Sequence, residues 1–275
     1  MKFNLLFSLK YTRLILFASI VSAFLFSISI TDINDIQATT EKEYDLQEIK
    51  EGVYIISANG YNVMFMTTGE GIIVVDAPIS IGNKIFKAIS EVTNEPIKYL
   101  IYSHAHRDHI AAAHLFQTDI EIIAEKNTGD ILKAVNDPER HIPTITFVDN
   151  TTLTVGDKTI QLTYPGQYHQ RGNIFIYVPE QKIIMVVDQL TPGEVPWKHL
   201  AATPEVPALM RSYDQVLEHD FDVYVPGHGN TGTKKDVNLQ KEYVTDLKNN
   251  SQLAIKNVNF TEVTKNIDKQ NNAPI

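Results

Sequence analysis

Residues 103–109 read Ser-His-Ala-His-Arg-Asp-His and place His104, His106, Asp108 and His109 within six positions. Imidazole nitrogens and carboxylate oxygens are donors for Zn²⁺ and for other divalent ions such as Mn²⁺ and Fe²⁺. Four such donors directly behind an apolar run predict a metal site at the end of a strand. Other polar candidates share that context. His169 follows the apolar run 160–164, Asp188 follows 183–187, and His228 follows 223–225 inside Pro-Gly-His-Gly. Asp76 follows 71–75 and reads either as a partner that orients a ligand His or as a turn residue. The chain has no Cys, so a thiolate ligand, a Cys nucleophile and a disulfide are all excluded.

The elements that must position these groups are read from periodicity. Residues 44–49, 53–57, 62–67 and 71–75 alternate as strands between Gly-containing turns. Residues 84–92 have helical spacing. The continuous apolar run 97–102 predicts a strand buried on both faces. Residues 110–116 read as a helix, 121–124 as a strand and 130–135 as a short helix. The second half repeats the order. Strands are predicted at 145–148, 152–155, 159–163, 173–178, 182–187 and 222–225, with helices at 204–219 and 234–258. Two such halves packed face to face predict an α+β fold with two sheets between outer helices.

At 275 residues and a net charge of -9, the chain lacks the basic stripe that a nucleic-acid partner requires. Lys2, Lys10 and Arg13 precede the uncharged apolar run 14–30, and Ala38 closes the polar stretch behind it. That is the pattern of a signal peptide, residues 1–38, with an uncleaved anchor as its alternative. The expectation is an exported protein, periplasmic or secreted, with no stable membrane partner unless the segment is retained. One domain is expected over 43–258, followed by a polar tail, 259–275, that frays. The oligomeric state has no readable signal.

His104-Ala-His106-Arg-Asp108-His109, His169 with Gly172-Asn173 behind it, Asp188 and His228 together resemble the metallo-β-lactamase superfamily across about residues 44–245. The resemblance implies a four-layer αββα sandwich with two metal ions, zinc first and Mn or Fe as alternatives, at one edge. His104, His106 and His169 would hold the first ion, and Asp108, His109 and His228 the second. Asp188 would bridge them. Activity then implies a metal-bridging hydroxide, with Asp108 in the catalytic set.

One β-lactamase group of that superfamily carries a Cys ligand, and another lacks the bridging carboxylate. This chain has neither departure. The set resembles the lactonase and glyoxalase II-like branches, so the expected reaction is hydrolysis of an ester, lactone or thioester in a small-molecule substrate. The alternatives are a β-lactamase, an iron-dependent persulfide dioxygenase and a non-catalytic metal-binding protein. Tyr168, beside His169, and Trp197, in a Pro-rich segment read as a substrate-covering loop, are the candidate substrate contacts. His114 reads as packed or capped, and His141 and His219 as exposed.

Overall fold

The computed structural model describes residues 43–196, 200 and 202–271. The expected signal segment 1–38 and Trp197 lie outside the described residues. Among those described, no helix is long and apolar enough to cross a membrane.

Strands β1 (Asp45–Lys50), β2 (Val53–Ala58), β3 (Tyr61–Thr67) and β4 (Ile72–Val75) run antiparallel, each to the next. Three parallel strands extend the sheet from β4: β5 (Ile97–Ile101), β6 (Glu121–Glu125) and β7 (Ile145–Phe147). The result is a seven-stranded sheet in chain order. A second, five-stranded sheet is ordered β12-β11-β10-β9-β8. Its strands are β8 (Asn150–Val155), β9 (Lys158–Thr163), β10 (Phe175–Val178), β11 (Ile183–Val186) and β12 (Val223–Pro226). The β11–β12 pair is parallel, and the other pairs are antiparallel.

Alternation along the strands builds the layers, because successive side chains point to opposite faces. Met64, Met66, Ile73, Val75 and Ile101 of the first sheet pack against Ile160, Leu162, Ile176, Ile183 and Met185 of the second. Their neighbours Val63, Phe65, Val74 and Leu100 face outward against Ile85, Ala88 and Ile89 of helix α1 (Lys84–Val92). On the far side, Phe175, Ile184, Val186 and Tyr224 meet helix α4 (Val206–Leu217) through Leu209, Tyr213 and Val216. Helix α5 (Lys234–Asn257) adds Val237 and Val244 and opens with a Thr233–Asp236 capping box. Helix, sheet, sheet and helix are thus the four layers expected of the αββα sandwich.

Several expectations are corrected. The segment 145–148 belongs to the first sheet, since β7 pairs with β6. The region read as a helix over 110–116 is one turn, α2 (Arg107–Ile110), followed by a 3₁₀ turn at Ala113–Leu115. Strand-end backbone interrupts it: Ala77 N–H donates to His109 O and Ala112 N–H to Ala77 O, both at 2.8 Å. Helix α3 (Lys126–Val135) starts four residues before the predicted one, because the Glu125 carboxylate accepts from Asn127 N–H and caps it. The polar segment expected to fray is helical over α6 (Phe260–Asn271).

Candidate metal centre

The seven polar residues converge at one edge of the sandwich, and each reaches it from the end of a strand. His104, His106, Asp108 and His109 follow β5, while His169, Asp188 and His228 follow β9, β11 and β12. Donor atoms of His104, His106, His169 and Asp188 lie within 4.8 Å of one another, and so do those of Asp108, His109 and His228. Asp188 sits between the groups. Its Oδ2 is 3.1 Å from His169 Nε2 and 3.5 Å from His104 Nε2. Its Oδ1 is 3.2 Å from His109 Nε2 and 3.3 Å from His228 Nε2. Each carboxylate oxygen therefore faces one cluster. The backbone of Asp188 is held at φ +59°. A left-handed conformation is uncommon outside Gly, Asn and Asp. Such strain, of order 1 kcal/mol, persists where the surrounding structure imposes it.

For His104 and His228 a second partner fixes which imidazole nitrogen faces inward. Buried Asp76, at φ +62°, accepts from Ser103 N–H and Ser103 Oγ–H, both at 2.7 Å. With its own proton committed, Ser103 Oγ must accept from His104 Nδ1, 2.9 Å away. That tautomer leaves a lone pair on His104 Nε2, a buried atom with no hydrogen-bond partner. On the other side, His228 Nδ1 donates to Gly60 O at 3.2 Å, which leaves His228 Nε2 as the inward atom. Asp76 thus takes the orienting role read from the sequence, acting through Ser103. Ser103 was not singled out.

Electrostatics follow from burial and from the crowding of these groups. Burial pushes the Asp76 carboxyl up to about 6, against the opposing pull of His109 and Ser103. Burial also drives His104 well below the usual imidazole range. For His109 the same burial penalty is outweighed by the Asp188, Asp76 and Asp108 carboxylates, which raise it to about 9. Asp188 is likewise desolvated, yet the His109 charge and hydrogen bonds from His106, His109 and His169 hold it well below the carboxylate range.

His169 Nε2 lies 3.0 Å from His106 Nδ1, and His228 Nε2 lies 3.2 Å from His109 Nε2. Paired imidazole nitrogens at such distances, a buried lone pair and a carboxylate with one oxygen toward each cluster fit divalent cations. The donor set of five His and two Asp is one that divalent zinc, manganese or iron can use.

The backbone around the ligands is tied down. Ala105, between His104 and His106, donates its N–H to Gln170 Oε1 at 2.8 Å, and its carbonyl accepts from Arg140 Nη1–H at 2.7 Å. Gln170 neighbours His169, so one side chain links both ligand segments of the first cluster. Gly227 allows a close approach in the site. A Cβ there would stand 2.9 Å from His109 Cε1 and 2.6 Å from Val187 Cγ1.

A cleft of about 520 Å³ opens over the clusters. Tyr61, His106, Asp108, His169, Asp188 and His228 form its floor, and Gln189, Leu190, Thr191, Glu194, Val195, Pro196 and Ala202 its wall. The described part of the Pro-rich segment therefore borders the cleft.

Tyr168 does not reach the cleft. It is buried, and its hydroxyl donates to Asn173 Oδ1 at 2.8 Å, within the core behind Asp188. Residues 168–170 form a bend, which sends the neighbours His169 and Tyr168 to different surroundings, the donor cluster and the core. His114 is capped by Ala111 O. His219, expected to be exposed, packs against Tyr177 and Phe175 and donates to Gln215 O. Tyr61 was missed altogether. A single Tyr at a hairpin tip carries no sequence signal of what it will touch.

The sequence profile described as the Metallo-beta-lactamase superfamily matches residues 57–228. The alpha subunit of 2,4-dinitroanisole O-demethylase from Nocardioides sp. (strain JS1661) is 23% identical over 193 residues, 68% of this chain and 58% of the subunit. This chain thus spans less than two thirds of that relative. A type 2 metallo-beta-lactamase from Bacillus sp. (strain 170) is 23% identical over 206 residues, 69% of this chain and 77% of its own. Among solved structures, a metallo-beta-lactamase from Pontibacter korlensis superposes with a TM-score of 0.65 at 18% identity, over 74% of this chain and 99% of its own. At that identity the superposition establishes the architecture.

Proposed function

The chain belongs to the metallo-beta-lactamase superfamily, and on that premise we propose that it is a two-metal hydrolase of a neutral ester, lactone or thioester. One observation carries the reading: the oxygens of Asp188 divide between two complete clusters of donors. His104, His106 and His169 would hold one ion, Asp108, His109 and His228 a second, with Asp188 shared. When bound, such a pair supplies Lewis acidity, lowering the pKa of water and drawing electrons from the scissile carbonyl.

The chain's own groups do the rest. Ser103 and Gly60 O hold His104 and His228 in the tautomers whose Nε2 can ligate. The half-exposed Asp108 carboxylate lies on the cleft floor, where it can take a proton from an attacking water. Leu190, Val195 and Pro196 offer apolar surface for an acyl chain, and Thr191 and Gln189 offer polar contacts. Among the described lining residues Glu194 is the charged group outside the clusters, and none is Lys or Arg. That lining favours a substrate without a carboxylate or phosphate of its own.

The assay is hydrolysis of neutral esters, lactones and thioesters by the zinc-loaded chain, with metal analysis alongside. Absence of turnover across that panel at full loading sinks the proposal. A second reading, β-lactam opening, is favoured by the type 2 metallo-beta-lactamase among the relatives. A penicillin, a cephalosporin and a carbapenem therefore join the panel. So does 2,4-dinitroanisole, which the name of another relative specifies. Export is proposed from the charged and apolar N-terminal pattern, and N-terminal sequencing of fractionated protein tests it.

A further inference from the structure

We propose that the Tyr61 hydroxyl is a positioning group for the second cluster and sets how tightly the second ion is held. The inference rests on the two-metal reading above.

The hairpin between β2 and β3 turns through Asn59 and Gly60, at φ +54° and +80°. Left-handed values at both central residues are what a tight two-residue hairpin needs, and Asn-Gly supplies them. The turn delivers the tip to the loop that carries His228. Asn62 N–H donates to Gly227 O at 2.9 Å, and its side-chain amide donates to Pro226 O at 3.0 Å and Gly229 O at 2.8 Å. Tyr61 and His228 form an isolated antiparallel bridge. Hairpin tip and His228 turn are therefore one hydrogen-bonded unit.

From that unit the Tyr61 side chain reaches all three members of the second cluster. Its ring centroid is 4.4 Å from that of His228 and 5.6 Å from that of His109. Its hydroxyl donates to Asp108 Oδ2 at 3.3 Å. The ring contacts and the hydroxyl bond of Tyr61 thus fall on Asp108, His109 and His228, while the first cluster is braced by Ser103, Gln170 and Arg140. Asp108 needs such a partner. Its side chain is 49% exposed, so without a restraint its carboxylate rotates freely and loses the orientation that ligation requires. The neighbouring His109 is fully buried, so packing restrains its ring.

Removing a partner outside the ligand set lowers metal affinity by roughly 10- to 100-fold. The 3.3 Å contact at an exposed carboxylate belongs near the lower end. The test is a stepwise zinc titration of the full chain against a chromophoric chelator, comparing wild type with Tyr61→Phe and Tyr61→Ala. Tyr61→Phe is expected to weaken the second equivalent about tenfold and leave the first unchanged. Tyr61→Ala, which also loses the ring against His228, is expected to weaken the second further, with the first equivalent reporting intact folding.

A second equivalent in Tyr61→Phe as tight as in wild type overturns the proposal. Equal weakening of both equivalents also overturns it, because a general loosening of the fold does that. A wild-type chain that takes up one equivalent overturns the two-metal reading itself, a result distinct from either.

Discussion

Replacing Asp76 by Asn should disable His104 as a ligand while leaving every ligand residue in the sequence. Asn tolerates the left-handed backbone at this position, φ +62°. The Ser103 N–H cannot rotate, so the carbonyl oxygen of the introduced amide stays with it and the NH₂ turns to Ser103 Oγ. That hydroxyl now accepts from the amide and donates its own proton to His104 Nδ1, reversing the present 2.9 Å bond. The imidazole proton moves to Nε2, the atom facing Asp188 Oδ2 at 3.5 Å, and a protonated nitrogen cannot ligate. Restoring the ligating tautomer leaves one buried polar group unsatisfied, at about 1–3 kcal/mol. At about 1.4 kcal/mol per tenfold, the first ion should bind roughly thirtyfold more weakly.

The fold itself should hold. Burial raises Asp76 from 3.8 to about 6, so its ionisation costs stability that sets in above the unfolded value and is complete above the folded one, and a neutral Asn removes that cost. Chelator competition measures the affinity, and ¹⁵N spectra of the imidazole read the tautomer. The double variant Asp76→Asn/Ser103→Ala lacks the hydroxyl that forces the wrong tautomer and should bind better than Asp76→Asn alone. Wild-type affinity in Asp76→Asn, or a double variant no better than the single, refutes the relay.

Asp188→Ala should lower metal content and hydrolysis together, the latter by more than about a hundredfold, the upper range for losing a mere outer partner. Unchanged content and rate would remove Asp188 from the shared position. Metal withdrawal should lower the thermal midpoint. Ligand at about 100 times its Kd contributes about 2.7 kcal/mol, or about 5–11 °C for a chain of this size. Calorimetry with and without chelator should show that shift, and its absence argues against tight binding. Tyr168→Phe should cost about 1–2 kcal/mol in urea unfolding for the lost bond to Asn173, with kcat/KM close to wild type. A large kinetic loss at full stability would return Tyr168 to the cleft.

The donors were legible in the sequence because each lies in a segment that follows an apolar run, and strand ends are where a sandwich gathers distant segments. Their second partners were legible only in part. Asp76 announces itself by following a strand, but Ser103 and Tyr61 act through contacts that composition does not encode. Tyr61 meets His228 only because an Asn-Gly turn and a Pro-Gly-His-Gly turn, far apart in the chain, arrive at one edge. The same blindness explains the errors. Three residues of β7 cannot state which sheet they join, and sequence adjacency to His169 cannot state which way Tyr168 points. The Ala-rich run after His109 has helical composition, yet strand-end backbone at Ala77 captures its hydrogen bonds.

The donors are split between the two sheets: four follow β5 of one, and three follow strands of the other. Neither sheet carries a complete set, so on the two-metal reading the ions would be captured only after the sheets dock. Interactions absent from the folding transition state slow unfolding rather than speed folding. The ions should therefore act as a kinetic lock, stretching the lifetime of the native state while leaving the refolding rate nearly unchanged. For a chain exported as proposed, into surroundings that hold proteases, that lifetime governs survival more directly than equilibrium stability does.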